Sequence, residues 1–201
     1  MSEEIKMTER ESLELITSMI NKAKNNFSEK GFLYLLWGWI ILICCITQFV
    51  AGYLFNYANA YYVWFLPWVV VIFQMIYLNK KKKSQRTKTY TEEINAWVWL
   101  VFFICMVLMI FICVRFKKYE MINPLLLILY GMPTFLSGII IKFKPLMIGG
   151  ICCWILAFMA PFITYEYQLL LISTAVIAAW IIPGYLLQVK YKKEKLIEGN
   201  Y

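Results

Sequence analysis

The chain has 201 residues, 62% of them hydrophobic and 18% aromatic, with a formal net charge of +8 and no histidine. An ordinary soluble domain is ~45–50% apolar, and a water-soluble chain of this length could not cover so much apolar surface. Composition thus excludes a soluble domain, and the missing imidazole excludes His-based zinc sites and Ser–His dyads.

The first element in chain order is residues 8–28, "TERESLELITSMINKAKNNFS". Thr8 and Glu11 have the spacing of a capping box. Leu13, Ile16, Ile20, Ala23 and Phe27 recur at steps of three and four, which places them on one helical face. The acidic start (Glu9, Glu11, Glu14) and basic end (Lys22, Lys24) complement the helix dipole. From Glu9 to Lys30 the charges balance, which suits a protein contact better than a lipid surface. Residues 1–30 are therefore expected to form a cytoplasmic amphipathic segment, with Leu13, Ile16, Ile20 and Phe27 as its docking face. No stretch before residue 30 has the apolar core of a cleavable signal, so the first span is expected to act as its own insertion signal.

No Asp, Glu, Lys or Arg occurs from Gly31 to Asn79, and the same holds for Ile94–Val114, Met121–Ile141, Pro145–Tyr165 and Tyr167–Val189. A helix needs about 20 apolar residues to cross a bilayer. The first tract is long enough for two crossings, with its turn at "NYANA", Asn56–Ala60. This predicts six spans, roughly residues 31–55, 60–79, 94–114, 122–142, 145–165 and 168–189. Backbone polar groups in lipid must be satisfied within the segment, so the spans are helices. The fold class is all-α: a polytopic six-transmembrane-helix bundle over 31–189, with a basic cytoplasmic tail at 190–201.

Several boundaries carry local signals. Asn123–Pro124 reads as an N-cap followed by proline at the first helical position, and Pro145 reads the same way for the fifth span. Only Lys142–Lys144 separate spans four and five, which predicts a tight antiparallel hairpin. Thr89 and Glu92 have capping-box spacing before the third span. Pro67, Pro133, Pro161 and Pro183 fall within or near spans and read as structural bends.

Orientation follows from the basic residues, which favour short cytoplasmic loops. With the N-terminus inside, the outer loops carry only Arg115, Lys117 and Lys118 of the 20 Lys and Arg residues. The run Lys80–Lys83 with Arg86 and Lys88 then anchors the second span on the inner side. It is compatible with contact to anionic headgroups, worth about 1 kcal/mol per basic residue. The expected location is the cytoplasmic (inner) membrane, with both termini in the cytoplasm.

The chemistry available is narrow. The chain contains no Asp, and none of its twelve Glu residues lies at the centre of a predicted span. Proton-coupled carriers and ion pumps usually need an ionisable group at that depth. Cys44, Cys45, Cys105, Cys113, Cys152 and Cys153 all fall in spans and lack ligand spacing, so they read as small apolar packing residues. No glycine-rich phosphate loop is present. No catalytic, cofactor-binding or metal-binding residue is therefore assigned, and no cofactor is expected.

Gly131, Thr134, Ser137 and Gly138 in span four, Gly149–Gly150 in span five, and Ser173, Thr174, Ala175, Ala178 and Ala179 in span six read as close-packing positions. Gln48, Gln74, Thr134, Ser137, Ser173 and Thr174 form a candidate polar pocket suited to a neutral or amphiphilic ligand.

The N-terminal helix, "YTEEINAWVWL", "YGMPTFLSGIIIKFKPLMIGGICCW" and "WIIPGYLL" together resemble an uncharacterised family of small multi-pass inner-membrane proteins of Bacteroidota. That resemblance implies a signalling role, because such genes lie beside small DNA-binding regulators, and it carries no site residues across. The resulting expectation is a non-enzymatic sensory, scaffolding or regulatory membrane component with a cytoplasmic docking helix. The alternative is a carrier or channel for a small neutral or hydrophobic solute. Expected partners are membrane lipid, a protein at the N-terminal helix and a second copy of the chain; nucleic acid is not expected.

Overall fold

A computed structural model describes residues 31–57, 59–82 and 90–198, all without a strand. The amphipathic segment, its docking face (Leu13, Ile16, Ile20, Phe27) and Thr89 lie outside the described residues.

Six helical stretches are long and apolar enough to cross a membrane: Gly31–Leu54, Ala60–Tyr77, Glu93–Arg115, Tyr119–Ile141, Lys144–Phe162 and Tyr165–Lys190. The protein is therefore an all-helical membrane protein of the multi-pass kind. We label the helices α1 (Gly31–Leu54), α2 (Leu66–Lys82), α3 (Tyr90–Arg115), α4 (Ile122–Ile141), α5 (Lys144–Met159), α6 (Tyr165–Val176) and α7 (Ile182–Glu198). A 3-10 stretch, Ala60–Phe65, leads into α2. A π-helical turn, Ile177–Ile181, joins α6 to α7 as one continuous rod, which runs past the membrane-length span to Glu198.

The π turn has a local cause. Pro183 has no N–H, and its ring crowds the carbonyl four residues back, that of Ala179. Widening the preceding turn relieves that clash without breaking the rod. Pro133 sits inside α4 and leaves the Leu129 carbonyl without its usual donor. Pro67 and Pro161 occupy early positions of α2 and of the 3-10 turn Ala160–Phe162, where a missing N–H costs little.

Three connections turn on a left-handed residue that is not glycine: Asn56 (φ 49°), Lys117 (φ 56°) and Lys142 (φ 55°). After α4, the Lys142 amide bonds Ile139 O at 3.1 Å and the Phe143 amide bonds Gly138 O at 2.8 Å. This is the Schellman arrangement, and it closes the short α4–α5 hairpin. Lys117 and Lys118 repeat it on Val114 O and Cys113 O after α3. A β-carbon in this conformation is disfavoured. We expect Lys142→Gly to raise stability by roughly 0.5–1 kcal/mol in a detergent unfolding titration.

One boundary differs from the sequence expectation. The 3-10 turn Tyr119–Met121 starts the helical course early, so Ile122 rather than Pro124 opens α4 and Asn123 lies inside it. Asn123 makes no capping bond; its side chain is buried at 4% exposure, with Nδ2 unpartnered.

The core joins α1, α4, α5 and the α6–α7 rod. Glycines set the approach. A methyl built on Gly149 would lie 2.6 Å from Ala179 Cα, and one on Gly150 would lie 2.7 Å from Phe135 Cβ. Gly31 and Gly184 bring α1 against α7 at the end carrying Lys190, and Gly38 admits Ile181 and Trp180. Gly131 leaves room for the Trp154 indole, which donates to Ile128 O at 3.2 Å. By contrast, only 6% of the spanning windows of α2 and of α3 is buried inside the protein, against 56% for α4 and for the α6–α7 rod. A compact unit thus carries two lightly packed helices on its flank.

Candidate functional site

The six residues of the predicted polar pocket all take part in hydrogen bonds. Each is engaged locally. Gln74 on α2 accepts a 2.6 Å hydrogen bond from Trp37 Nε1 on α1. Gln48 on α1 accepts from Trp64 Nε1, just before α2. Thr134 donates to Tyr130 O at 2.7 Å and accepts from Trp180 Nε1 at 2.9 Å, all fully buried. Ser137 donates to Asn95 Oδ1 on α3 at 2.7 Å. Ser173 and Thr174 bond back to Leu169 O and Leu170 O on their own helix, and Thr174 is exposed on the rod's outer side.

The bonds of Gln48, Gln74, Thr134 and Ser137 fasten helical elements to one another. The two Trp–Gln pairs clamp α2 to α1 at both ends of that hairpin, in reciprocal sense: the first donor is on α1, the second on the α2 side. Ser137–Asn95 ties α3 to α4, and Thr134–Trp180 ties α4 to the π turn. Interhelical bonds of this kind in apolar surroundings contribute about 0.6–1.5 kcal/mol each. Because α2 has so little buried surface, its two clamps matter more than their size suggests. We expect Gln74→Leu to lower stability by about 1 kcal/mol. A double-mutant cycle with Trp37→Phe should return most of that loss as coupling energy.

Around these ties lies an aromatic interior. Trp180 packs on Tyr130 with ring centroids 4.9 Å apart and on Trp99 at 6.1 Å; Trp99 meets Tyr34 at 6.0 Å. Tyr34 is buried with no hydrogen-bond partner for its hydroxyl, although Ser137 and Trp99 are its neighbours. Cys44, Cys45 and Cys153 are also buried. Among the described residues no group of three metal-ligating side chains converges.

A concave feature that draws polar groups from distant parts of the chain lies at one end of the bundle. At the end of the bundle remote from Gly31 and Lys190, a cleft of about 280 Å³ opens between the last turns of α1, the connection into α2 and the start of α6. Gln48, Tyr53, Tyr57, Tyr61, Tyr165 and Glu166 line it. Three local causes shape it. The π-helical end of α1, Val50–Leu54, widens the helix turn that carries Tyr53. The left-handed Asn56 then swings the chain back over the opening. The 3-10 stretch Ala60–Phe65 packs Tyr61 against Tyr62, ring centroids 4.7 Å apart. From the other side, the Tyr167 hydroxyl donates to the Tyr53 hydroxyl at 3.0 Å, which joins α6 to α1 at the rim. Gln168, next along α6, braces the α5–α6 turn through bonds of 3.1 Å to Ala160 O and Ile163 O.

Sequence reasoning named Gln48 as a polar-pocket residue, but it did not join it to Tyr165 and Glu166. Those two are more than a hundred positions away, and no local spacing signals the contact.

Family models, curated proteins and solved structures were compared with the chain, and none of the three gave a match. The class therefore rests on the fold itself: an all-helical, multi-pass membrane protein.

Proposed function

We propose that the chain is a non-enzymatic sensory or scaffolding component of the cytoplasmic membrane, with both termini inside. One observation carries this reading: Gln48, Gln74, Thr134 and Ser137 are engaged in ties between helical elements, while a cleft lined by polar groups sits at one end. A molecule built this way acts by binding and presenting surfaces. With the termini inside, the aromatic cleft faces outward and the amphipathic segment at 8–28 faces the cytoplasm. A signal received at one end would then meet a docking helix at the other.

The carrier reading draws less support. It needs Gln48, Gln74, Thr134, Ser137, Ser173 and Thr174 along one path, and four of them are engaged in separate ties while Ser173 and Thr174 bond back to their own helix.

The test is a pair of measurements. Cross-linking in cells should recover a protein partner with the full chain and lose it when residues 1–28 are deleted, while membrane insertion persists. The purified protein in proteoliposomes should not accelerate uptake of small neutral solutes. A partner profile unchanged by the deletion, or clear solute flux, would overturn the proposal.

A further inference from the structure

The end cleft has a chemistry of its own. Four tyrosines, Tyr53, Tyr57, Tyr61 and Tyr165, line this space together with Glu166 and Gln48. Aromatic faces carry partial negative charge and attract cations, more strongly where water is scarce. Glu166 adds a formal anionic group, and among the described residues no lysine or arginine is paired with it at ion-pair distance. Every charged or π-electron feature of the cleft therefore has the same sign. A volume of about 280 Å³ admits one small headgroup and not an extended peptide.

We infer that this cleft binds an organic ammonium group, held over the tyrosine faces with its charge toward Glu166. This deepens the sensory reading given above and rests on it for its biological meaning, by naming what the end cleft recognises. The ammonium can reach the site from two sources, a free amine from the aqueous side or the headgroup of an aminophospholipid from the bilayer. Both present the same chemistry to the same residues. The Gln48 amide adds a consequence: it lines the cleft and also accepts the Trp64 bond that clamps the α1–α2 hairpin. Occupancy therefore bears directly on that clamp.

The experiment uses the full-length chain in nanodiscs of phosphatidylglycerol, titrated calorimetrically with choline. Dimethylbutanol, the uncharged carbon isostere of choline, is the control. Saturable choline binding is expected, weakened about tenfold by Glu166→Gln and similarly by Tyr57→Leu. Both positions are exposed and neither substitution threatens the core, so unaltered thermal unfolding should accompany the loss. Adding phosphatidylethanolamine to the discs separates the sources. A fall in apparent choline affinity that disappears in Glu166→Gln assigns the site to a lipid headgroup; an unchanged affinity assigns it to a free amine. Dimethylbutanol binding as well as choline, a sugar binding in its place, or equal choline affinity in wild type and Glu166→Gln would overturn the inference. Binding is read directly, independent of any docking partner. Choline binding with no docking partner would sink the sensory reading alone, and a partner without choline binding would sink this one alone.

Discussion

Trp180→Ala is expected to be the most damaging single substitution in the described bundle, at about 3 kcal/mol. Trp180 is 3% exposed and sits in the π turn where α1, α3 and α4 converge on the α6–α7 rod. Its ring packs on Tyr130 and Trp99, its indole N–H is satisfied by Thr134, and Gly38 of α1 lies against its Cβ. Truncation opens a cavity at that junction and removes the aromatic bridge to α3. In lipid the transfer part of the penalty shrinks, because acyl chains are as apolar as a protein interior. Lost dispersion contacts remain, which is why the expectation sits at the low end for large aromatic truncations. Trp180→Phe isolates the hydrogen bond and should cost about 1 kcal/mol. The check is reversible unfolding in bicelles. A Trp180→Ala protein within about 0.5 kcal/mol of wild type would mean that the junction is not where the core is held.

Gly149→Ala should come next, at about 2 kcal/mol, by the opposite mechanism. The methyl would fall 2.6 Å from Ala179 Cα and 2.9 Å from Ala178 O. Those are backbone atoms of the π turn and cannot rotate away, so α5 and the rod must separate. Separation would also disturb the Gly150–Phe135 contact on the other side of α5. Gly52→Ala is the matched control, since a methyl there meets nothing nearer than Ala60 Cβ at 3.8 Å. It should leave stability unchanged or slightly raised, through helix propensity. If both substitutions behave alike in the same unfolding titration, the close approach of α5 to the rod is wrong.

The spans were legible because lipid imposes a coarse rule. Charge had to be absent for about 20 residues at a time, and the uncharged tracts mark all six helices to within a few residues. The NYANA turn and the short α4–α5 hairpin were legible for related reasons: Asn56 tolerates a left-handed backbone, and three residues leave room for little else. The small residues of α4–α7 pointed correctly to close approach. The part α1 plays in the core was not visible. Two of its glycines, Gly31 and Gly38, are spaced seven apart in an apolar helix, and sequence does not say which helix meets them. The pairing of polar groups also escaped, although a signal was present. Trp37 with Gln74, and Gln48 with Trp64, are both centred on the Asn56 turn, so folding the hairpin there brings each tryptophan opposite a glutamine. An amide in lipid seeks the nearest donor, and each of these glutamines finds it in the tryptophan across the hairpin. Of the cleft only Gln48 was singled out beforehand, because Tyr165 and Glu166 join it only through the packing of α6 on α1.

The proposed role requires a defined set of segments on each side of the bilayer. Single-cysteine variants in a background freed of native cysteines, labelled on intact cells with an impermeant maleimide, measure this directly. Cysteines replacing Asn59, Lys117 and Thr164 should react from outside. Those replacing Arg86, Lys142 and Lys193 should react only after the membrane is opened. Ready labelling at Arg86 on intact cells would place the lysine run outside and contradict the topology, the outward-facing cleft and the cytoplasmic docking segment together.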